Sequence, residues 1–333
     1  MQKFDLESIP RISHCILPTP IIPLERLSES LGKARIFVKR DDLTGIAFGG
    51  NKNRKLEFLL ADALLKGSDV IITEGAITSN HCLQTVACAA RLGLECELVL
   101  SDSKIDEKMT GNLLLDQILD AKIHLVKTNA ERKKKMNKIA EELKANGRQP
   151  YVIPTGGSNK IGILGYVLCI NEIMKQSTES GITFDYFVHA TGSAGTQAGS
   201  LIGAKLYYPD LKVIGISVGD KKKEIIAEVA AIINDFQQEW NLSLAIDKSE
   251  IIVLDKYYGK GYGIPTKELI DTLKIVAKLE GIFLDPVYNG KAMIGLIDLI
   301  KTEEIPSDSN VLFLHSGGNV AIFNYIDFFK KSL

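Results

Sequence analysis

The stretch FDYFVHATGSAGT, residues 184–196, joins an apolar strand pattern to a glycine-rich turn and then to a helical pattern. Residues 184–188 predict a strand, and the apolar spacing from Thr196 to Leu206 predicts a helix. A strand that runs into a helix through a small turn is the repeating unit of parallel α/β sheets. We therefore expect an open sheet covered by helices.

The same alternation recurs along the chain. Further β-branched runs predict strands at residues 36–39, 69–73, 96–100, 123–126, 213–217 and 311–314. Helical spacing occurs between them, for example at residues 55–66, 82–92, 130–143 and 266–279. This order predicts the α/β class, with mainly parallel sheets flanked by helices on both faces.

The length and composition limit the classes of function. With 333 residues, of which 45% are hydrophobic, the chain is long enough for two lobes. Forty basic and 41 acidic residues give a net charge of -1, which favours neither nucleic acid nor a membrane surface as a partner. A small polar substrate fits this balance better.

The cysteines and the first residues indicate the cellular setting. Five cysteines with no C-x-x-C pair argue against a disulfide framework and against a thiolate zinc site. Residues 1–7 are charged and lack a signal-peptide core, and no apolar run has spanning length. We expect a cytoplasmic protein with reduced thiols and no metal site.

Lys52 lies in the segment FGGNKNRKLE, residues 48–57, where a helical apolar spacing begins. A confined lysine has a lowered pKa and can form a Schiff base with a carbonyl cofactor. The two preceding glycines allow close backbone approach, while Asn51 and Arg54 add hydrogen-bond donors and Lys55 adds a second cation. A glycine turn before the charged face of a helix explains the same residues without any function.

The segment EGAITSNH, residues 74–81, follows a predicted strand. Thr78 or Ser79 can cap the next helix, and the free amides at the start of that helix can bind a carboxylate together with Ser79 and Asn80. His81 is a candidate proton carrier, although a structural role is the more common one for a histidine at a helix end.

The loop from Gly192 to Thr196 presents small residues and successive backbone donors at the start of a helix, which predicts a phosphate cup. It has neither G-K-[ST] nor G-x-G-x-x-G spacing, so a single phosphate ester fits better than ATP or NAD. Three weaker groups are Tyr288 in DPVYNGK, Ser316 in LHSGGN, and Tyr262 in a glycine-spaced loop at residues 257–263. The basic run at residues 132–135 is interpreted as the solvated face of a helix without function.

In this order, the segments resemble those of the pyridoxal-phosphate enzymes of the D-cysteine desulfhydrase and 1-aminocyclopropane-1-carboxylate deaminase family. The resemblance extends from residues 39–45 to residues 315–318 and includes GKAM at residues 290–293. It implies the tryptophan-synthase β-subunit type of fold (fold type II), with two open, twisted, mainly parallel sheets. It further implies a small inserted domain at residues 55–162, a large cofactor-binding domain at residues 1–54 and 163–333, and a homodimer.

The resemblance also implies roles for individual residues around bound pyridoxal 5'-phosphate. Lys52 would be the Schiff-base lysine and general base. The other implied catalytic residues are Ser79, Tyr262 and Tyr288. The implied substrate contacts are Ser79, Asn80, His81, Tyr262 and Tyr288. The implied cofactor contacts are Lys52, Asn51, Lys55, Asn80, Gly192, Ser193, Ala194, Gly195, Thr196 and Ser316.

Two positions separate the branches of this family. The deaminases carry glutamate after the second tyrosine and leucine after the late histidine, whereas this chain has Asn289 and Ser316. Desulfhydrases carry small hydroxyl residues at both positions, so Ser316 fits that branch and Asn289 departs from it. A serine offers the ring nitrogen only a neutral hydrogen bond, which suits β-elimination better than opening of a cyclopropane ring.

The resemblance therefore implies β-elimination from D-cysteine to give pyruvate, hydrogen sulfide and ammonia. Within the family, the alternatives are deamination of 1-aminocyclopropane-1-carboxylate and release of sulfite from L-cysteate. Outside it, the chain could be a non-catalytic binding protein on the same scaffold. The least specific alternative is an α/β protein whose glycine loops only turn the chain.

Overall fold

The computed structural model describes residues 4–101 and 111–330. Its larger sheet has six strands in the order β1-β2-β10-β7-β8-β9, and all neighbours are parallel except β1 and β2. The bounds are β1 Ile21–Pro23, β2 Arg35–Arg40, β7 Tyr186–Thr191, β8 Lys212–Ser217, β9 Ile252–Leu254 and β10 Asn310–His315.

The smaller sheet has four strands, all parallel, in the order β5-β4-β3-β6. Its bounds are β3 Val70–Ala76, β4 Glu95–Ser101, β5 Lys122–Val126 and β6 Pro150–Val152. The helices of the described residues are α1 Glu25–Leu31, α2 Asn51–Leu65, α3 Asn80–Arg91, α4 Asn112–Ile118, α5 Asn129–Ala145, α6 Leu164–Ser180, α7 Gly195–Tyr207, α8 Lys222–Glu239, α9 Lys267–Glu280, α10 Asn289–Lys301 and α11 Ile326–Lys330.

Side chains alternate between the two faces of the six-stranded sheet. Helices cover both faces, so both sets of side chains are buried. Phe187 packs with residues of α6, α7 and α8, whereas its neighbour Val188 packs with residues of α9 and α10 on the other face. The small sheet is covered by α2 and α3 on one side and by α5 on the other. Continuous apolar strands are the expected result of this double coverage.

The expected fold class is confirmed, and each predicted strand corresponds to a strand of the structure. The three-residue strands β1, β6 and β9 are too short for a periodicity to reveal them. The domain boundaries remain a prediction: the small sheet is built from residues 70–152, and the expected boundary at 54/55 lies inside α2.

Across residues 4–101 and 111–330, no helix has both the length and the apolar character needed to span a membrane. All five cysteines are free thiols. The side chains of His14, Cys15 and Glu57 bring metal-type donor atoms within 4.8 Å of one another. Glu57 Oε1 accepts the backbone N–H groups of both His14 and Cys15, so this carboxylate ties the amino-terminal segment to α2.

Candidate active site

A cleft of about 1540 Å³ lies where strands of both sheets end. The segments after β3, β6, β7, β8 and β10 all contribute residues to its wall, together with the start of α2 and of α3. The carboxyl edge of parallel strands is where α/β proteins bind ligands, because loops and helix starts point their amides there. The cleft is therefore the candidate active site.

Lys52 lies in the first turn of α2 and faces this cleft. Burial lowers the pKa of Lys52 from 10.5 to about 8, because desolvation disfavours the charged amine. The pKa of Lys55 is also lowered well below its ordinary value, first by burial and then by the nearby charge of Lys52. With a pKa of about 8, more of the Lys52 amine is neutral at neutral pH than in an ordinary lysine, and only the neutral amine can act as a nucleophile or a base.

The residues of the predicted phosphate cup form a cradle at the start of α7. Ala194 has φ 60°, and α7 begins at the next residue, so its first amides point into the cleft. A Cβ added to Gly195 would lie 2.4 Å from Ser158 Oγ and 2.8 Å from Lys55 Nζ. The hydroxyl of Thr191, at the edge of this cradle, is buried and has no hydrogen-bond partner. Amides, a lysine and an unpaired hydroxyl fit a phosphate ester.

Three further contacts hold the cradle in place. Asn51 Nδ2 donates to Thr196 Oγ1 at 3.1 Å, which joins α2 to α7. Lys55 Nζ donates to the carbonyl of Gly156 at 3.0 Å, and the hydroxyl of Ser158 donates to that of Ser193 at 2.9 Å.

The loop at residues 154–158, PTGGS, was not predicted as part of the site, yet it contributes Thr155, Gly156 and Ser158 to the cleft. The available signal was a glycine pair followed by serine directly after the apolar run YVI. Strand β6, which precedes the loop, has only three residues, so periodicity did not mark this loop as the end of a strand.

Ser79, Asn80 and His81 lie together at the start of α3. Ser79 Oγ accepts from the amide of Cys82 at 3.2 Å, which confirms the predicted cap. Asn80 Oδ1 accepts from Asn112 Nδ2 at 2.8 Å. His81 is buried, and its ring bonds Thr73 Oγ1 at 2.8 Å.

The protonation of His81 follows from its surroundings. Burial lowers the pKa of His81 well below its ordinary value, and the charges of Lys52 and Lys55 lower it further. The ring is therefore neutral, which does not favour a role as proton carrier. Its Nδ1 atom is buried without a hydrogen-bond partner.

Tyr262 and Tyr288 meet at the cleft with their hydroxyl oxygens 2.5 Å apart. Their ring centroids are 5.9 Å apart, and the rings cross at 75°. Burial raises the pKa of Tyr262 to about 12 and that of Tyr288 well above its ordinary value. Both phenols thus keep their protons at neutral pH, and one donates to the other.

Ser316 faces the cleft directly, whereas Asn289 is fully buried behind it. Ser316 Oγ donates to Asn289 Oδ1 at 3.0 Å. The amide nitrogen of Asn289 donates to Asp285 Oδ1 at 2.6 Å and to the carbonyl of Gly317 at 2.7 Å. Asn289 therefore supports Ser316 from behind.

The interpretation of the basic run as a solvated face is wrong for Arg132. Its side chain is only 12% exposed, lines the cleft and lies 3.7 Å from Glu74 Oε2. Lys133 and Lys134 are exposed as expected. The helical spacing of α5 places residue 132 on the same face as the buried Met136, four residues later.

Comparison with known proteins identifies the family. Residues 12–317 match the family model described as pyridoxal-phosphate dependent enzyme. The chain belongs to this family. It is also 42% identical over 325 residues to a D-cysteine desulfhydrase of Serratia proteamaculans (strain 568), which covers 96% of this chain and 97% of that protein.

Solved structures agree with this assignment. The crystal structure of an ACC deaminase homologue superposes with a TM-score of 0.91 at 40% identity and covers 98% of each chain. O-ureido-L-serine synthase superposes with a TM-score of 0.66 at 19% identity, covering 95% of this chain and 92% of its own, which shows the shared fold. The expected fold type, the pyridoxal-phosphate cofactor and the lyase class of this pyridoxal-phosphate dependent enzyme are confirmed.

Proposed function

We propose that this pyridoxal-phosphate dependent enzyme converts D-cysteine and water to pyruvate, hydrogen sulfide and ammonia. The observation that carries the proposal is the 42% identity, over 96% of the chain, to a protein named D-cysteine desulfhydrase. The chemistry of the cleft supports it: a lysine with a lowered pKa lies in the same cleft as two protonated phenols. One group can remove a proton, and the others can donate one.

The cradle would hold the phosphate ester through the amides of residues 192–196, with Lys55 beside them. Lys52 would bind the aldehyde carbon, and Ser316 would face the ring nitrogen. Bound pyridoxal phosphate supplies an electron sink for the bonds that break at the substrate Cα.

The substrate would lie between α3 and the tyrosines. Ser79, Asn80 and the amides at the start of α3 would hold its carboxylate. Lys52 Nζ would remove the Cα proton as general base. The hydroxyl of Tyr262 or Tyr288 would donate a proton to the departing sulfur, since both stay protonated at neutral pH.

A second candidate is deamination of 1-aminocyclopropane-1-carboxylate to 2-oxobutyrate. The 40% identity and TM-score of 0.91 to a protein named ACC deaminase homologue favour it. Against it, the residue that faces the cleft beside the expected ring position is the neutral Ser316.

One panel of substrates separates these candidates. Purified enzyme is incubated with D-cysteine, L-cysteine, L-cysteate, D-serine or 1-aminocyclopropane-1-carboxylate, and sulfide, sulfite, pyruvate and 2-oxobutyrate are measured. We expect sulfide and pyruvate in equal amounts from D-cysteine. Formation of 2-oxobutyrate without sulfide would replace the proposal by the second candidate, and loaded enzyme without any product would contradict both.

The cellular setting is also a proposal. Five free thiols fit a reducing compartment, which supports a cytoplasmic location. A homodimer and the division into domains at residues 54/55 and 162/163 remain predictions. Sedimentation of the purified enzyme tests the first, and limited proteolysis tests the second.

A further inference from the structure

Lys291 is a buried lysine for which the proposed reaction has no use. It is 1% exposed and lies in the GKAM segment of α10. Its Nζ donates to two backbone carbonyls, that of Val218 at 3.0 Å and that of Gly261 at 2.7 Å. Burial lowers the pKa of Lys291 to about 8, partly offset by the charge of Asp285. A buried amine is costly, so its two carbonyl contacts call for an explanation.

Both carbonyl contacts lie around the Tyr262 loop, defined as residues 257–263. Gly261 immediately precedes Tyr262, and Val218 precedes Gly219, which lies beneath the loop. A Cβ added to Gly219 would lie 2.8 Å from Tyr262 Cβ, so the loop packs directly on this backbone. Lys291 therefore joins the loop to the segment that follows β8.

The backbone that follows Tyr262 is also hydrogen-bonded to a side chain from a distant part of the chain. The hydroxyl of Tyr325 donates to the carbonyl of Gly263 at 2.9 Å. The carbonyls directly before and after Tyr262 are thus both hydrogen-bonded to side chains from elsewhere in the chain. The side chain of Tyr262 is 44% exposed, so these backbone hydrogen bonds add to the packing that fixes the loop.

The hydrogen bonds from Lys291 to Gly261 and from Tyr325 to Gly263 form a clamp on the Tyr262 loop. The position of Lys291 on α10 links this clamp to Tyr288. Tyr288 directly precedes α10, and Lys291 follows three residues later in the first turn of this helix. One helical turn thus carries Tyr288 and, through Lys291, fixes the backbone of Tyr262. This arrangement accounts for the 2.5 Å contact between the two hydroxyl oxygens.

We propose that Lys291 and Tyr325 are positioning residues that hold the Tyr262 loop so that the hydroxyl of Tyr262 stays against that of Tyr288. Neither acts on the substrate directly, and both act through Tyr262. The kinetic part of this inference rests on the proposed function. Displacement of a catalytic group by about 1 Å lowers turnover roughly 100-fold, so a loose loop has a measurable effect.

A double-mutant cycle tests the route of action. We expect Lys291→Met to lower kcat/KM for D-cysteine by about 10- to 100-fold, with the cofactor still bound and absorbing. In a Tyr262→Ala background, Lys291→Met should have almost no further effect, because the residue through which it acts is gone. The same loss in both backgrounds would overturn the proposal, since it would indicate a general structural role.

Tyr325→Phe gives a second, milder variant that removes one hydroxyl at a partly exposed position. The decrease in kcat/KM caused by Tyr325→Phe should also disappear in the Tyr262→Ala background. Lys205→Met, at an exposed ion pair with Glu250, and Tyr151→Phe, in the small sheet, are the matched controls. Both controls should keep wild-type kcat/KM.

Limited proteolysis tests the clamp without any substrate. Lys260 is exposed within the Tyr262 loop, and trypsin cleaves there only when the loop opens. Mass spectrometry measures the rate of cleavage after Lys260. We expect this rate to be at least about tenfold higher in Lys291→Met than in wild type. Equal rates would overturn the clamp even if D-cysteine is the substrate, and a faster rate would support it even if D-cysteine is not.

Discussion

Ser316 and Asn289 are joined by two hydrogen bonds that both end on the same atom. Asn289 Oδ1 accepts from the amide of Ser316 at 2.9 Å and from its hydroxyl at 3.0 Å. The orientation of the Asn289 amide is fixed because its nitrogen donates to two oxygens on the opposite side, in Asp285 and Gly317. The hydroxyl proton of Ser316 is therefore directed toward Asn289, and its lone pairs face the cleft.

Ser316→Glu tests the contact of Ser316 with the ring. A carboxylate at this position should keep the ring nitrogen protonated, because an opposite charge favours the charged form. We expect a shift of the visible absorption of the bound cofactor and a lower rate with D-cysteine. Ser30→Glu, at an exposed position of α1, should change neither. An unchanged spectrum in Ser316→Glu would place Ser316 away from the ring nitrogen.

Lys52→Ala removes the proposed base and point of attachment. We expect turnover to fall by about 10²- to 10⁴-fold or more. Borohydride reduction followed by peptide mapping should find the cofactor on Lys52 in the wild-type enzyme and on no lysine in the variant. Lys66→Ala, at the end of the same helix, should behave like wild type. A reduced cofactor mapped to another lysine in wild-type enzyme would refute the assignment.

The pKa of Lys52 predicts how fast the apo-protein takes up the cofactor. Its pKa is lowered to about 8, and only the neutral amine attacks an aldehyde. The rate of attachment should rise roughly tenfold per pH unit below pH 8 and level off above it. Stopped-flow absorbance from pH 6 to pH 10 measures this profile, and a rate still rising at pH 10 would indicate an ordinary lysine.

Gly195→Ala tests the phosphate cradle. The added methyl group would lie 2.4 Å from Ser158 Oγ and 2.8 Å from Lys55 Nζ, so it would occupy the space that the cradle offers an anion. We expect the affinity for pyridoxal phosphate to fall by at least about tenfold. The affinity for pyridoxal, which lacks the phosphate, should change much less. Equal losses for both compounds would indicate general distortion.

Glu172 tests the buried charges beneath α2. It lies between Arg54 and Lys39, and its pKa is lowered to about 2, because the attraction of these cations outweighs the effect of burial. Since the folded state lowers this pKa from 4.5, the stabilisation is complete above pH 4.5 and is lost as the pH falls toward 2.

We expect Glu172→Gln to lower the free energy of unfolding at pH 7 by about 3–5 kcal/mol in urea titrations. The difference from wild type should narrow as the pH falls below 4.5. Glu239→Gln, which removes an exposed ion pair with Lys160, should cost less than about 1 kcal/mol. Equal decreases in the free energy of unfolding for the two substitutions would refute the claim that burial makes the Glu172 ion pairs more important for stability than an exposed ion pair.

The sequence predicted the long elements well because their periodicity is set by burial. Strand β7 and helix α7 are covered on every side, so their apolar residues recur at the expected spacing. Strands β1, β6 and β9 have three residues each and no room for a period. The loop that contains Ser158 was missed for this reason, although it lies beside Lys55.

Within the site, local motifs located the segments but not their mutual contacts. The glycine loop and the cap at Ser79 are local signals and could be recognised in the sequence. The contact of Asn289 with Ser316 and the clamp of Lys291 on Gly261 join residues 27 and 30 positions apart, so only the folded chain shows them. Arg132 was misjudged because its neighbours in the basic run are solvated.

The proposed phosphate cradle is assembled from segments that follow strands of both sheets. Lys55 bonds the loop that follows β6 of the small sheet and lies beside Gly195, which follows β7 of the large one. A bound phosphate group would therefore contact residues from both sheets and help to hold the two sheets together. We expect vitamin B6 starvation to leave a looser polypeptide that cellular proteases remove sooner, so that nutrient supply would set how much enzyme persists.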